Sequence, residues 1–91
     1  MKNVVRSATY LADLDDIERY IARLNPVAAA RMFDHIDDQV ELLADPNFPR
    51  RRGRVRGTFE LVVHRHYVVI FCETATTVTA LNVVHTSRHY P

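Results

Sequence analysis

The chain has little of what secreted, membrane and metal-dependent proteins rely on. Its one cysteine, Cys72, permits no internal disulfide and sits inside an apolar run, so a reducing, cytoplasmic setting is expected. Residues 1–6 contain no apolar signal core. No stretch approaches the roughly 20 uninterrupted apolar residues that cross a bilayer, so no membrane partner is expected. The histidines show no ligand spacing supported by cysteines or carboxylates, and neither a metal nor another cofactor is expected. Internal repeats and low-complexity segments are absent. With 91 residues, 47% of them hydrophobic and 25% charged, the composition is that of one globular domain spanning 1–91. A core this small is marginally stable, which favours a protein that works bound to a partner.

Acidic side chains are scarce in one half only. Up to Pro49 there are five basic residues (Lys2, Arg6, Arg19, Arg23, Arg31) and nine acidic ones, a net of −4; beyond it only Glu60 and Glu73 oppose seven arginines, a net of +5. The formal total of +1 therefore conceals a charge dipole along the chain.

Val4 and Val5 form a short β-compatible run ending at Ser7, a residue suited to capping a helix. Leu11, Leu14, Ile17, Ile21 and Leu24 recur at helical spacing and predict a first helix, with Asp13, Asp15, Asp16 and Glu18 mainly around the other side. Asn25-Pro26 ends it and starts a second helix, since asparagine caps well and proline fits the first helical position. Ala29, Phe33, Ile36, Val40 and Leu43 continue the pattern until Asp45-Pro46. Two antiparallel helices of about four turns are expected.

Between Asp45 and Gly57 the periodicity vanishes, and Pro46, Pro49, Gly53 and Gly57 punctuate a loop holding Arg50, Arg51, Arg52, Arg54 and Arg56. Three β-type runs follow, Thr58 to His64, Tyr67 to Thr74 and Val78 to His85, which read as an antiparallel meander. The all-apolar run from Tyr67 to Cys72 suits a central strand covered on both faces. Arg65-His66 is not a favoured two-residue turn pair, so that hairpin is expected to be longer or bulged. The fold class is α+β: an N-terminal short strand and a two-helix antiparallel hairpin packed on a C-terminal antiparallel β-meander.

In order and spacing the chain resembles the ParE/RelE superfamily of small bacterial toxins, in its plasmid-stabilisation, ParE-like branch. The resemblance rests on Ala12-Asp13-Leu14-Asp15-Asp16-Ile17 and Tyr20-Ile21, then the Pro26-led helix. It continues in Gly53-Arg54-Val55-Arg56-Gly57-Thr58-Phe59-Glu60-Leu61-Val62, Tyr67-Val68-Val69-Ile70-Phe71 and Val83-Val84-His85-Thr86-Ser87-Arg88. It implies a RelE/ParE-like fold and the toxin of a type II toxin-antitoxin pair. Such a toxin is neutralised by a cognate antitoxin in a hetero-oligomer, and acts either by inhibiting DNA gyrase or by cleaving mRNA on translating ribosomes.

Cleavage needs groups to move protons and cations to hold a phosphate. Glu60, His64, His66, His85, His89 and Tyr90 could do the first, and Arg54, Arg56, Arg65 and Arg88 the second. The resemblance implies that a ribonuclease of this superfamily carries arginine where this chain has Val68 and Phe59. The expectation is accordingly a non-enzymatic gyrase inhibitor with Arg54, Arg56, Arg65, His85 and Arg88 as target-binding residues. Under the enzymatic alternative, mRNA cleavage would use Arg54, Arg56, Arg88, His89 and Tyr90. A third reading is a degenerate, non-toxic module that only holds its partner.

Bland readings stand beside these. The arginine run serves equally as a solvated loop, His64 and His66 as surface residues at a hairpin tip, His85 as a structural hydrogen-bonding group, Cys72 as a small core hydrophobe and the acidic stripe as a solvated face. Met32, Val62 and Val84 are candidates for a groove that an antitoxin helix or strand would cover.

Overall fold

The structure is a computed structural model that describes residues 1–87. Strand β1 (Asn3–Arg6) leads into helix α1 (Ala8–Ala22) and helix α2 (Pro26–Glu41), which tightens into a 3₁₀ turn over Leu42–Ala44. Strands β2 (Arg51–Arg52), β3 (Phe59–His64), β4 (Tyr67–Glu73) and β5 (Thr77–His85) complete the chain. The helix starts are those their capping residues dictate. The Ser7 hydroxyl accepts from the Tyr10 N–H at 3.0 Å, and the Asn25 carbonyl oxygen from the Ala28 N–H at 3.0 Å, with Pro26 in the first turn.

The five strands form one sheet in the order β1-β5-β4-β3-β2. The expected meander β3-β4-β5 is antiparallel, and two edge strands extend it. β1 pairs parallel to β5, from Asn3 opposite Thr77 to Arg6 opposite Ala80, and the chain between them runs through the helical hairpin and then β2, β3 and β4. β2 rises inside the arginine segment and pairs antiparallel with the start of β3, Arg51 opposite Glu60. The Arg65-His66 hairpin is bulged, with a register shift between Val62 and His64. A second bulge inserts Leu81 into β5, where Ile70 faces Asn82 but Phe71 faces Ala80. The extra residue changes the alternation, so that Val83 joins Val78 and Ala80 in the core.

The helices cover one face of the sheet. Tyr10, Leu14, Ile36, Val40 and Leu43 pack on Leu61, Val63, Val69, Phe71 and Val78 in a single cluster. In α1 the buried stripe begins at Tyr10, while Leu11 (46% exposed) and Leu24 (90%) fall outside it. On the opposite face Ile70 is buried and Val68 and Cys72 are half-buried.

β5 is longer than its partner β1, and Ser7 and Asp13 satisfy the surplus. Where β1 ends, the Ser7 N–H donates to the Ala80 carbonyl at 3.0 Å and the Ser7 hydroxyl to the Leu81 carbonyl at 2.8 Å. Further along, the Val83 N–H donates to the Asp13 carboxylate at 2.9 Å. The same device serves the short β2: His35 of α2 places Nε2 2.7 Å from the Val63 carbonyl. Each capped group would otherwise be a part-buried backbone polar atom without a ladder partner.

Candidate functional site

The arginine segment divides into a root and a crown. Arg50 is the root: its side chain is 11% exposed, and its guanidinium donates to the carbonyls of Leu43 at 2.6 Å, Phe48 at 2.6 Å and Asp45 at 2.9 Å, and to Glu73 at 3.3 Å. Lys2 approaches the same carboxylate at 2.7 Å. Burial opposes the Glu73 charge, but the hydrogen bonds from Lys2 and Arg50 outweigh it and hold the carboxyl below its usual range. Arg50 is thus a fastener between the end of the helical hairpin, the loop and β4, and not part of a solvated run.

The crown is Arg51, Arg52, Arg54 and Arg56, all exposed. Its turn is fixed by Thr58, whose N–H and hydroxyl both donate to the Val55 carbonyl, at 3.0 and 2.5 Å, while the Gly53 N–H donates to the Thr58 carbonyl at 2.9 Å. Gly57 takes φ +84°, the left-handed region that favours glycine, and a Cβ on Gly53 would press on the Thr58 hydroxyl and stand 3.1 Å from the Thr58 backbone. An open hollow of about 500 Å³ lies within residues 52–59. Glu60 lies buried below, 3.8 Å from the Arg51 Nε.

The other end of the sheet gathers rings. His66 stacks on His85 with centroids 5.5 Å apart and planes within 13°, and Tyr67 meets His85 edge-on at 5.4 Å. His64 lies 5.4 Å from His66 and 5.9 Å from Tyr67. The Nδ1 of His85 accepts from the Ser87 N–H at 3.1 Å and stands 2.7 Å from the Ser87 hydroxyl, which assigns the proton of the neutral ring to Nε2. Burial first, then the positive charges of His66, Arg65 and His35, push the His64 imidazole below its ordinary pKa. Beside this cluster an open cleft of about 450 Å³ separates α1 from the ends of β4 and β5, lined by Asp13, Asp16, Tyr20, Tyr67, His85 and Ser87 among others.

The four expected target-binding residues that lie among the described residues fall into two groups. Arg54 and Arg56 stand in the loop before β3, and Arg65 and His85 at its far end; the five steps along this six-residue strand, at about 3.3 Å each, put roughly 17 Å between them. Arg88, His89 and Tyr90 lie outside the described residues. No three histidine, cysteine, aspartate or glutamate side chains among the described residues converge in a way that would hold a metal ion. No helix among them is long and apolar enough to cross a membrane.

The sheet face turned away from the helices carries a cross-strand row. Val62 pairs with Val68 and Val68 with Val84, with Ile70 and Cys72 alongside. Val68, one of the two positions read against arginine, is the centre of that row. Phe59, the other, lies on the helix-facing side, its ring stacked on the buried Phe71 at 5.5 Å.

The family described as the ParE toxin of the type II toxin-antitoxin system parDE matches residues 4–90. The chain belongs to the ParE toxin family. The protein Y4kP of Sinorhizobium fredii (strain NBRC 101917 / NGR234) is 35% identical over 81 residues, covering 89% of this chain and 84% of the relative. The chromosomal ParDE TA system from P. aeruginosa superposes with a TM-score of 0.81 at 22% identity, covering 93% of this chain and 96% of that one. The toxin-antitoxin complex RelBE2 from Mycobacterium tuberculosis gives 0.59 at 22% identity over 96% and 93% of the two chains. These two likenesses show the shared α+β fold.

For a ParE-family toxin the useful outcome is the separation of scaffold from free surface. Asp13 and Asp37, read as parts of a solvated acidic face, are scaffold: the first caps β5, and the second receives the Arg6 Nε at 2.7 Å and the Tyr10 hydroxyl at 2.9 Å. Met32 on α2 packs on the core, whereas Val62 and Val84 lie on the sheet face turned away from the helices, so the three do not share one groove. The stacking of His66 on His85 was missed by reading along the chain. Their distance from the His64 turn, counted in residues, contains a signal only once the β4-β5 register is known.

Proposed function

We propose that this ParE-family toxin acts without catalysis, by binding DNA gyrase and blocking it, and that a cognate antitoxin neutralises it in a cytoplasmic hetero-oligomer. The observation that carries the reading is the chemistry at Val68 and Phe59. A ribonuclease must supply cations where charge develops on the phosphate. Here one position is the middle of a valine row on the sheet face turned away from the helices and the other is an aromatic stacked into the core. Among the described residues the arginine crown and Arg65 sit at the sheet's two ends, about 17 Å apart by strand length, and so do not converge on one scissile phosphate. The apolar row bounded by the exposed Val62, which is 50% accessible, suits burial under the apolar side of a partner segment, the role expected of the antitoxin.

The test is supercoiling of relaxed plasmid by purified gyrase with increasing toxin. Supercoiling should fall as toxin is added and recover on addition of the antitoxin. Unchanged supercoiling at large molar excess, together with new 5′ ends on translated mRNA after induction, would replace this reading with the ribonuclease one.

A further inference from the structure

We infer that the outward flank of α2 is an interface between two copies of this chain, packed antiparallel about a two-fold axis at His35. The inference goes beyond the gyrase reading and does not rest on it. Ala28, His35 and Leu42 recur at heptad spacing, the repeat that keeps one seam of a helix facing a partner helix. Between them Arg31 and Asp38 repeat the same interval. Arg31, His35 and Asp38 are exposed, and Leu42 is 44% accessible although it is a large apolar residue.

The two ends of the seam complement each other. Its N-terminal end is concave: an open hollow of about 410 Å³ is lined by Val27, Ala28, Arg31, Met32, His35 and His64 among others. Its C-terminal end carries a knob, Leu42. Reversing a second copy about His35 sets its Leu42 opposite Ala28, over that hollow and beside Val27, which is 61% exposed in the single chain. The same operation sets Arg31 opposite Asp38 and Gln39 of the second copy, so an Arg31 to Asp38 ion pair forms on each side of the axis. Parallel packing would instead oppose Arg31 to Arg31 and Asp38 to Asp38.

Neither charge is used within its own chain. Arg31 and Asp38 make no ion pair among the described residues, and at about 10 Å along the axis they are too far apart to pair with each other. At the crossing point His35 is tied down, its Nε2 2.7 Å from the Val63 carbonyl. From Ala28 to Leu42 the seam runs roughly 21 Å. One helix pair of that length buries less than the roughly 1,200 Å² of a stable interface, so the dimer is weak, with a Kd of about 100 µM.

Sedimentation equilibrium of the purified full chain from about 10 µM to about 1 mM, with no gyrase present, tests the inference. The wild type should dimerise near the middle of that range. Arg31→Asp and Asp38→Arg should each weaken self-association by about tenfold, because each sets like charges face to face. An equimolar mixture of the two variants should recover the wild-type affinity, since every reversed charge then meets its opposite in the heterodimer. Matching circular dichroism melts would establish that both variants fold. A wild type still monomeric at about 1 mM would overturn the inference and leave the flank to a helix of a different protein. Wild-type association in either variant, or a mixture no stronger than the variants alone, would overturn it as well. Inhibition of supercoiling is read in a separate assay, so failure here leaves the gyrase reading standing.

Discussion

Replacing Arg50 by alanine should destabilise the fold as strongly as removing a core side chain, although the residue belongs to a run of five arginines. Its side chain is 11% exposed and serves four acceptors: three carbonyls, of Leu43, Asp45 and Phe48, and the Glu73 carboxylate. In Arg50→Ala, Lys2 still holds Glu73 at 2.7 Å, so the carboxylate keeps one partner and the loss falls on the carbonyls. Hydrogen bonds from a charged donor are worth about 1.5–3 kcal/mol each, and several made by one side chain do not add in full. A total near 3 kcal/mol follows, at the lower end of the ~3–5 kcal/mol for breaking a buried ion pair. For a domain of this size that lowers Tm by roughly 12–24 °C. Arg50→Lys restores a charge beside Glu73 but cannot reach the carbonyls as a fork does, and should recover less than half of the loss. Urea and thermal denaturation followed by circular dichroism measure both, with Arg56→Ala as the exposed comparison, expected within about 0.5 kcal/mol of wild type. If Arg50→Ala matched Arg56→Ala, the assignment of Arg50 to the scaffold would be wrong.

Two further outcomes follow from the capped edge and the buried phenol. Asp13→Ala leaves the Val83 N–H without its 2.9 Å acceptor; it should cost about 1–2 kcal/mol and accelerate hydrogen exchange at the Val83 amide more than at Val69 in the middle of β4. Burial foremost, then the hydrogen bond to Asp37, push the Tyr10 phenol well above its ordinary pKa of 10.0. The folded pKa is raised, so the stability linked to Tyr10 is intact below about pH 10 and is lost as pH rises above it. Phenolate absorbance should then show one tyrosine ionising only as the chain unfolds, and Tyr10→Phe should remove that step. Its persistence in Tyr10→Phe would refute the assignment.

Much of this architecture is written locally. The helical hairpin follows from apolar spacing and from two caps, Ser7 and Asn25, each acting on an N–H three residues away. β3, β4 and β5 follow from β-branched and aromatic runs separated by turns, and the poor turn chemistry of Arg65-His66 already implied a bulge. The interior edge of α1 was less legible: Tyr10 and Leu11 are adjacent and both large, and only the position of the sheet decides that Tyr10 is buried and Leu11 is 46% exposed.

What the amino-acid sequence determined by itself was therefore the set of elements, the family resemblance and the charge dipole, because each depends on residues within a few positions of one another or on simple counting. What only the tertiary structure decided was which charges are built into the scaffold. Lys2 reaches Glu73 across 71 positions and Val83 reaches Asp13 across 70, and no local pattern signals such contacts. The same parallel pairing of β1 with β5 that closes the sheet brings the N-terminal end of the chain to the Glu73 site, converting Arg50 from a loop cation into an internal fastener. The opposite directions of β3 and β4 then place the arginine crown and the histidine cluster at the two ends of the sheet, because strand length, not position in the chain, sets their separation.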